Sequence, residues 1–336
     1  MKAAVLTKVK KIEYKDVKVP QIGEDDVLIK VSETGICGSD LSTYQGTHPY
    51  KKPPIILGHE VCGFVDDLGG NVKDLNKGDK VCVESYSACE ECIYCQDDKP
   101  NLCLDKKVAV SGDWQGSFAE YFKAPRNSVY KLSQNVSDSE GALIEPLAVA
   151  LHALGLSNSI KGKNIAILGT GNIGLCSLIC AQKLDAKEIL CSDISNSKSK
   201  LAKKFGVDYF VDVSKDNLVN YVRNIFKDGV DTTIVAADYP SAIDEATEIT
   251  KRAGEIITVS YFEKKLEAQW NKIVRKEITL KGSAVSCKKD FLTIIKWLET
   301  KEIDPTPMIS HRFPLEKAGK AMKQMIKNSG KIILYP

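Results

Sequence analysis

No apolar run in this chain approaches the roughly 18 residues that a membrane-spanning helix needs,. The opening segment Met1–Lys10 has only four consecutive small apolar residues before charges return. That is too few for a secretory leader, so the expectation is a cytoplasmic chain with no membrane partner. Neither sign of charge dominates: 47 basic against 44 acidic residues leave +3, which gives no ground for a nucleic-acid partner,. Internal repeats and low-complexity tracts are lacking too. A composition 43% hydrophobic and 27% charged excludes a disordered chain or a collagen-like fibre,.

Cysteine, by contrast, is plentiful. There are 11, an odd number, and Cys89, Cys92, Cys95 and Cys103 fall within 15 positions. In a reducing compartment such clustering points to metal binding or redox chemistry rather than to structural disulfides. The length, 336 residues, suggests two domains sharing an active cleft,.

Up to about residue 145 the pattern is short strand-like runs broken by turns, among them Val27–Val31, Glu60–Val65 and Val81–Val83. Joined by Gly, Pro and Asp turns, they predict a mostly antiparallel, barrel-like domain. Near residue 160 strands begin to alternate with helices. Asn164–Leu168, Glu188–Asp193, Val207–Val211, Asp231–Ala236, Glu255–Val259 and Ile278–Lys281 read as strands, with helices at Leu175–Lys183 and through Lys198–Lys203. That alternation predicts right-handed βαβ units and a doubly wound parallel sheet. Phe291–Lys301 reads as an amphipathic helix, and Lys331–Tyr335 as a final strand able to return to the first domain.

Gly169-Thr-Gly171-Asn172-Ile173-Gly174 follows a predicted strand and opens a helix, and Asp193 lies 19 positions beyond its last glycine. The dinucleotide fingerprint requires that context: Gly169 for the tight turn, Gly171 for close approach of pyrophosphate, Gly174 for helix–strand packing. Asp193 at the end of the next strand would accept from ribose hydroxyls and repel a 2′-phosphate, favouring NAD over NADP. The alternative is a glycine-rich turn in another kind of α/β protein. The four clustered cysteines match tetrahedral Zn²⁺ in number and softness, and four ligands leave no open position, as in a structural site. A redox Cys-x-x-Cys pair and an iron–sulfur cluster are the other readings. Cys62, Cys82, Cys176, Cys180 and Cys191 lie in predicted strands or helices, where a small buried hydrophobe is the default. Cys287 receives no role.

Cys37 in Thr34-Gly-Ile-Cys-Gly-Ser-Asp40, His59-Glu60 after Pro54-Ile-Ile-Leu-Gly58, and Glu145 in Gly141-Ala-Leu-Ile-Glu-Pro146 are each ambiguous alone, and spacing does not bring them together,. Taken with Gly78-Asp79-x-Val81, the four-cysteine segment, Gly116–Tyr121, Glu145-Pro-Leu-Ala-Val149 and the glycine fingerprint, they resemble the zinc-dependent medium-chain dehydrogenase/reductase family, in its polyol, sorbitol and sugar-alcohol branch. The resemblance runs over essentially the whole chain. It implies a GroES-like catalytic domain from residues 1–150 and 286–336, carrying a structural zinc lobe at 86–104, with a Rossmann NAD-binding domain at 151–285.

It further implies a catalytic zinc held by Cys37, His59 and a carboxylate, Glu60 or Glu145. Glu145 occupies the place where many alcohol dehydrogenases have a cysteine ligand. Asp40 would orient His59 through its other ring nitrogen, and Ser39 would pass the alcohol proton onward. Zn²⁺ with three protein ligands and an open position is a Lewis acid at an alcohol oxygen, which lets hydride leave carbon for nicotinamide. The implied activity is NAD-linked oxidation of a secondary alcohol in a polyol, sugar alcohol or sugar-alcohol phosphate, by a homodimer or homotetramer carrying two zincs per chain. Two departures stand out. Ser42 replaces the relay histidine of many relatives, with His48 read as a loop residue; and Ala284-Val285-Ser286 lacks the arginine common in polyol dehydrogenases, so sorbitol itself does not carry over. His152 and His311 are read as structural or near the cofactor. Butanediol and L-threonine 3-dehydrogenase activities rank behind the polyol reading, and a non-enzymatic scaffold last.

Overall fold

A computed structural model describes residues 1–262, 264–327 and 330–336. The chain divides into two compact units, Met1–Glu145 with Phe291–Pro336, and Pro146–Asp290. The divisions fall inside two helices, Asp138–Gly155 and Lys288–Glu299.

In the first unit the long strand Asp26–Gly35 pairs antiparallel with Glu60–Leu68 on one side. Its other neighbours are Tyr121–Pro125 and the C-terminal strand Lys331–Tyr335, both also antiparallel. Lys80–Val83 and Val129–Lys131 extend one side of this seven-stranded sheet, and Ile309–Pro314 the other. Val27, Ile29 and Val31 alternate inward along the strand, packing with Leu6, Val61, Val65, Phe118 and Phe122 in one apolar core,. Ile332 and Leu334 join that core, and full burial of such a side chain is worth roughly 1.5–3 kcal/mol,. Burial on that scale docks the chain end as a strand. The expected return of Lys331–Tyr335 to the first domain is therefore observed, as are the sequence-derived strands at Val27, Glu60 and Val81.

The second unit carries a six-stranded, wholly parallel sheet. Its spatial order is Tyr209–Asp212, Glu188–Asp193, Asn164–Leu168, Val230–Val235, Thr250–Thr258, Thr279–Gly282. The first strand in sequence lies in the middle and the order reverses across it, the doubly wound arrangement whose ligand crevice opens at the strands' carboxyl ends. Ala166, Leu168, Leu190, Val235 and Ile256 pack with helical residues such as Val222 and Ala246. Among the described residues no helix is long and apolar enough to cross a membrane.

Candidate functional site

The first site grows from the register of three neighbouring strands. Gly35 pairs with Glu60 on one side and with Ile333 on the other. A Cβ at Gly35 would overlap Glu60 Oε2, so glycine leaves the space in which the Glu60 carboxylate lies. Lys331, two residues before Ile333 and on the same face, reaches that carboxylate: Nζ donates to Glu60 Oε2 at 2.5 Å and to the Ile36 carbonyl at 3.3 Å. Lys331 is 0% and Glu60 1% exposed, so this is a buried ion pair, and a charge buried this deeply needs its partner,. Lys331 escapes the motif reading. Its only signal in sequence is a lysine opening an otherwise apolar strand.

Cys37, His59 and Glu60 each present one ligand atom within a 4.8 Å group. Glu145 is buried nearby but lies outside that group, and its carboxylate takes a hydrogen bond from Ser85. Burial raises the Glu145 carboxyl above the usual carboxylate range, against the pull of His59 and with Glu60 adding to the rise,. Burial alone would lower His59, yet the Cys37 thiol, hydrogen-bonded to the ring, and then Asp40 and Glu145 push it up to about 10. A buried imidazole surrounded by anionic groups marks a place built for positive charge.

Asp40 does not play the part expected of it. Its Oδ1 lies 3.9 Å from His59 Nδ1, too far for a hydrogen bond, and Nδ1 is buried without a hydrogen-bond partner,. Instead Oδ2 accepts from the Cys37 N–H and Oδ1 from the Gly58 N–H, both at 3.0 Å. Asp40 thus fixes the backbone beside Cys37 and beside His59, and acts on both through the main chain. Ser39 is half-buried on the first turn of the same helix, Gly38–Gln45; its carbonyl accepts from Ser42 Oγ and Thr43 Oγ1. His48 sits in a loop, where Nδ1 accepts from the Tyr50 and Lys51 N–H groups. His311 is exposed and stacked on Phe313.

Cys89, Cys92, Cys95 and Cys103 form a second group. Sulfur–sulfur distances are 3.4 Å for Cys89–Cys103, 3.5 Å for Cys92–Cys95 and 3.9 Å for Cys89–Cys95. Backbone N–H groups of Leu104 and Cys95 lower Cys92 to about 6, while burial and the neighbouring thiols raise Cys95 to about 12. Four sulfurs this close share negative charge well only around a cation. Cys62, Cys82, Cys176, Cys180 and Cys191 are all at most 1% exposed and sit in the packing.

In the second unit Gly169 has φ +89°. A Cβ at Gly174 would overlap the Gly169 carbonyl oxygen, whereas Gly171 has open space beside it. The turn is therefore tight where strand and helix meet and open where a phosphate would approach, at the start of the helix Asn172–Lys183,. Asn172 Oδ1 there is buried without a hydrogen-bond partner, and Ile173 is half-buried. Asp193 Oδ2 accepts from the Thr170 N–H at 2.9 Å and Oδ1 from the Ser195 N–H at 3.1 Å, which orients the carboxylate at the strand end. Lys198 is a further residue missed by motif reading. Burial lowers its ammonium while Asp193 opposes that shift, so the two are close.

These donor sets fit a zinc at each cysteine-bearing group and a dinucleotide at the glycine turn. The alcohol dehydrogenase GroES-like domain model matches residues 23–134, and the zinc-binding dehydrogenase model matches residues 172–300. The chain is 31% identical to a sorbitol dehydrogenase of Bombyx mori over 95% of this chain and 94% of that one. It is 30% identical to an L-threonine 3-dehydrogenase of Idiomarina loihiensis, with the same coverage of each. Galactitol-1-phosphate dehydrogenase from Escherichia coli superposes with a TM-score of 0.93 at 30% identity, covering 100% of both chains. The chain belongs to the zinc-dependent medium-chain dehydrogenase/reductase family, in its polyol-dehydrogenase-like branch, and is an oxidoreductase.

Proposed function

We propose that this enzyme transfers hydride from a secondary alcohol of a polyol, sugar alcohol or sugar-alcohol phosphate to NAD, giving the ketone. The observation that carries the proposal is the convergence of Cys37, His59 and Glu60, whose ligand-type atoms lie within 4.8 Å of one another, with Lys331 paired to Glu60. Bound zinc would supply Lewis acidity at the substrate oxygen, and NAD the hydride acceptor. The chain's own residues do the rest. Cys37 and His59 hold the metal, Asp40 locks the backbone on which both stand, and Lys331 pairs with the Glu60 carboxylate beside them. Glu145, bonded to Ser85 outside that group, is the second candidate carboxylate, and the Ser39 hydroxyl takes the alcohol proton toward solvent. Cys89, Cys92, Cys95 and Cys103 hold a second, structural zinc. Gly169, Gly171, Asn172, Ile173 and Gly174 form the pyrophosphate turn, and the Asp193 carboxylate receives the adenosine ribose hydroxyls, which favours NAD.

The 30% identity to a sugar-alcohol phosphate dehydrogenase and the 31% identity to a sorbitol dehydrogenase support a polyol class. Similarity to a threonine dehydrogenase supports oxidation of threonine's secondary alcohol as the second reading. A screen of NADH formation across polyols, sugar phosphates, butanediol and threonine separates the two, and turnover of threonine alone would replace the first by the second. Metal analysis should give two zincs per chain, falling to one in Cys37→Ala or His59→Ala, with turnover lost and NAD binding kept. Near-normal activity in either variant defeats the site assignment, and faster turnover with NADP than with NAD defeats the role of Asp193.

A further inference from the structure

Outside these sites, the unit Pro146–Asp290 contains a buried group of His152, Cys287 and Asp290, with one ligand-type atom of each within 4.8 Å of the others. The hydrogen bonding is ordered. Asp290 Oδ2 lies 2.9 Å from His152 Nδ1 and also accepts from the Cys287 N–H at 2.8 Å. The His152 side chain is also hydrogen-bonded with that of Cys287; with the Nδ1 proton directed at Asp290, Nε2 is the nitrogen that can take up a proton. Carboxylate, imidazole and thiol therefore form a chain in the order that activates a cysteine nucleophile. Cys287 immediately precedes the helix Lys288–Glu299.

We propose that Cys287 is a peroxide-sensitive thiol, activated by His152 and Asp290, and a site of reversible oxidation apart from both zinc groups. A Cys287 Sγ lone pair attacks the distal oxygen of a small hydroperoxide. The S–O bond forms as the O–O bond breaks, giving a sulfenic acid. The thiol proton, held on His152, passes to the departing oxygen, which leaves as water or an alcohol. Sulfur is oxidised and the peroxide reduced, so the step balances without another reactant. Residue exposures of 4% for Cys287 and 8% for His152 suit a reagent little larger than water. Cys62, Cys176, Cys180 and Cys191 are wholly buried, at 0%. Burial also pushes Cys62 and Cys191 thiols above their ordinary range, so they serve as inert references within the same molecule.

The test treats the zinc-loaded enzyme with hydrogen peroxide in the presence of dimedone and locates the trapped sulfenic acid by peptide mass spectrometry. Cys287 should label at least tenfold faster than Cys62, Cys82, Cys176, Cys180 or Cys191. His152→Gln and Asp290→Asn should slow that labelling about tenfold, and Cys287→Ser should abolish it. Labelling of Cys287 no faster than at the other five thiols overturns the proposal, and so does an unchanged rate in a folded His152→Gln enzyme. If neither variant folds, the comparison among thiols of the unaltered enzyme decides alone. A third zinc per chain that is lost in Cys287→Ser would make the group a metal site and equally overturn it.

Discussion

Glu60 and Lys331 are separated by 271 positions, yet their side chains meet as a buried ion pair, 1% and 0% exposed. Lys331→Met leaves the Glu60 carboxylate without its counter-ion. The expected cost is about 3–5 kcal/mol, read as a fall in the denaturation midpoint. Lys331→Arg should recover part of it, and the double variant Glu60→Gln/Lys331→Met most of it. A single Lys331→Met variant as stable as the parent would show that the ion pair contributes nothing to stability. His48 gives a pH prediction of opposite character. Its Nδ1 must stay unprotonated to accept the Tyr50 and Lys51 N–H groups, and burial, with Lys51 and Lys52, lowers it below its ordinary 6.5. Because the folded value lies below the unfolded one, its contribution is complete above pH 6.5. It is lost as the pH falls through that value toward the folded one. A histidine Cε1–H resonance titrating below 6.5 by NMR is expected, and a midpoint above 6.5 contradicts the loop geometry.

At the scale of elements, the strands Asn164–Leu168 and Glu188–Asp193 appear with the limits read from sequence, because central parallel strands are continuous apolar runs bounded by turns,. Other limits moved for physical reasons. The helix after the glycine turn begins at Asn172 and not Leu175, since the last fingerprint residues are already helical. The strand ending at Thr258 begins at Thr250, five residues before the apolar run, through polar residues beside a register irregularity opposite Val230 and Thr232. Gly174 is the element-level test. An alanine there must push the helix off the Gly169 carbonyl, so Gly174→Ala should weaken NADH binding at least tenfold, about 1.4 kcal/mol,. Fluorescence titration measures this, and an unchanged affinity would mean that the turn tolerates the shift.

At the scale of the whole molecule, the strand Thr279–Gly282 closes one edge of the parallel sheet, and Thr279, Leu280 and Gly282 on it are exposed. The preceding helix Trp270–Lys276 exposes Trp270 and Val274. An open edge beside apolar side chains suits pairing with a second copy about a two-fold axis. We expect an even-numbered assembly by light scattering, shifted toward monomer by Leu280→Lys; a monomeric parent enzyme would refute this. Much of the chemistry was legible in sequence because its carriers are local: four cysteines within one segment, three glycines in one turn, an aspartate at the next strand end. Each of these needs only the geometry of a short stretch of chain. Tertiary structure alone decided that Cys37, His59 and Glu60 meet, and that Glu145 turns to Ser85. It also decided that Asp40 serves the backbone and not the His59 ring, and that His152 finds Asp290 across 138 positions. Those partnerships depend on strand registers and helix docking set by burial of apolar surface over the whole chain, and no local spacing encodes them.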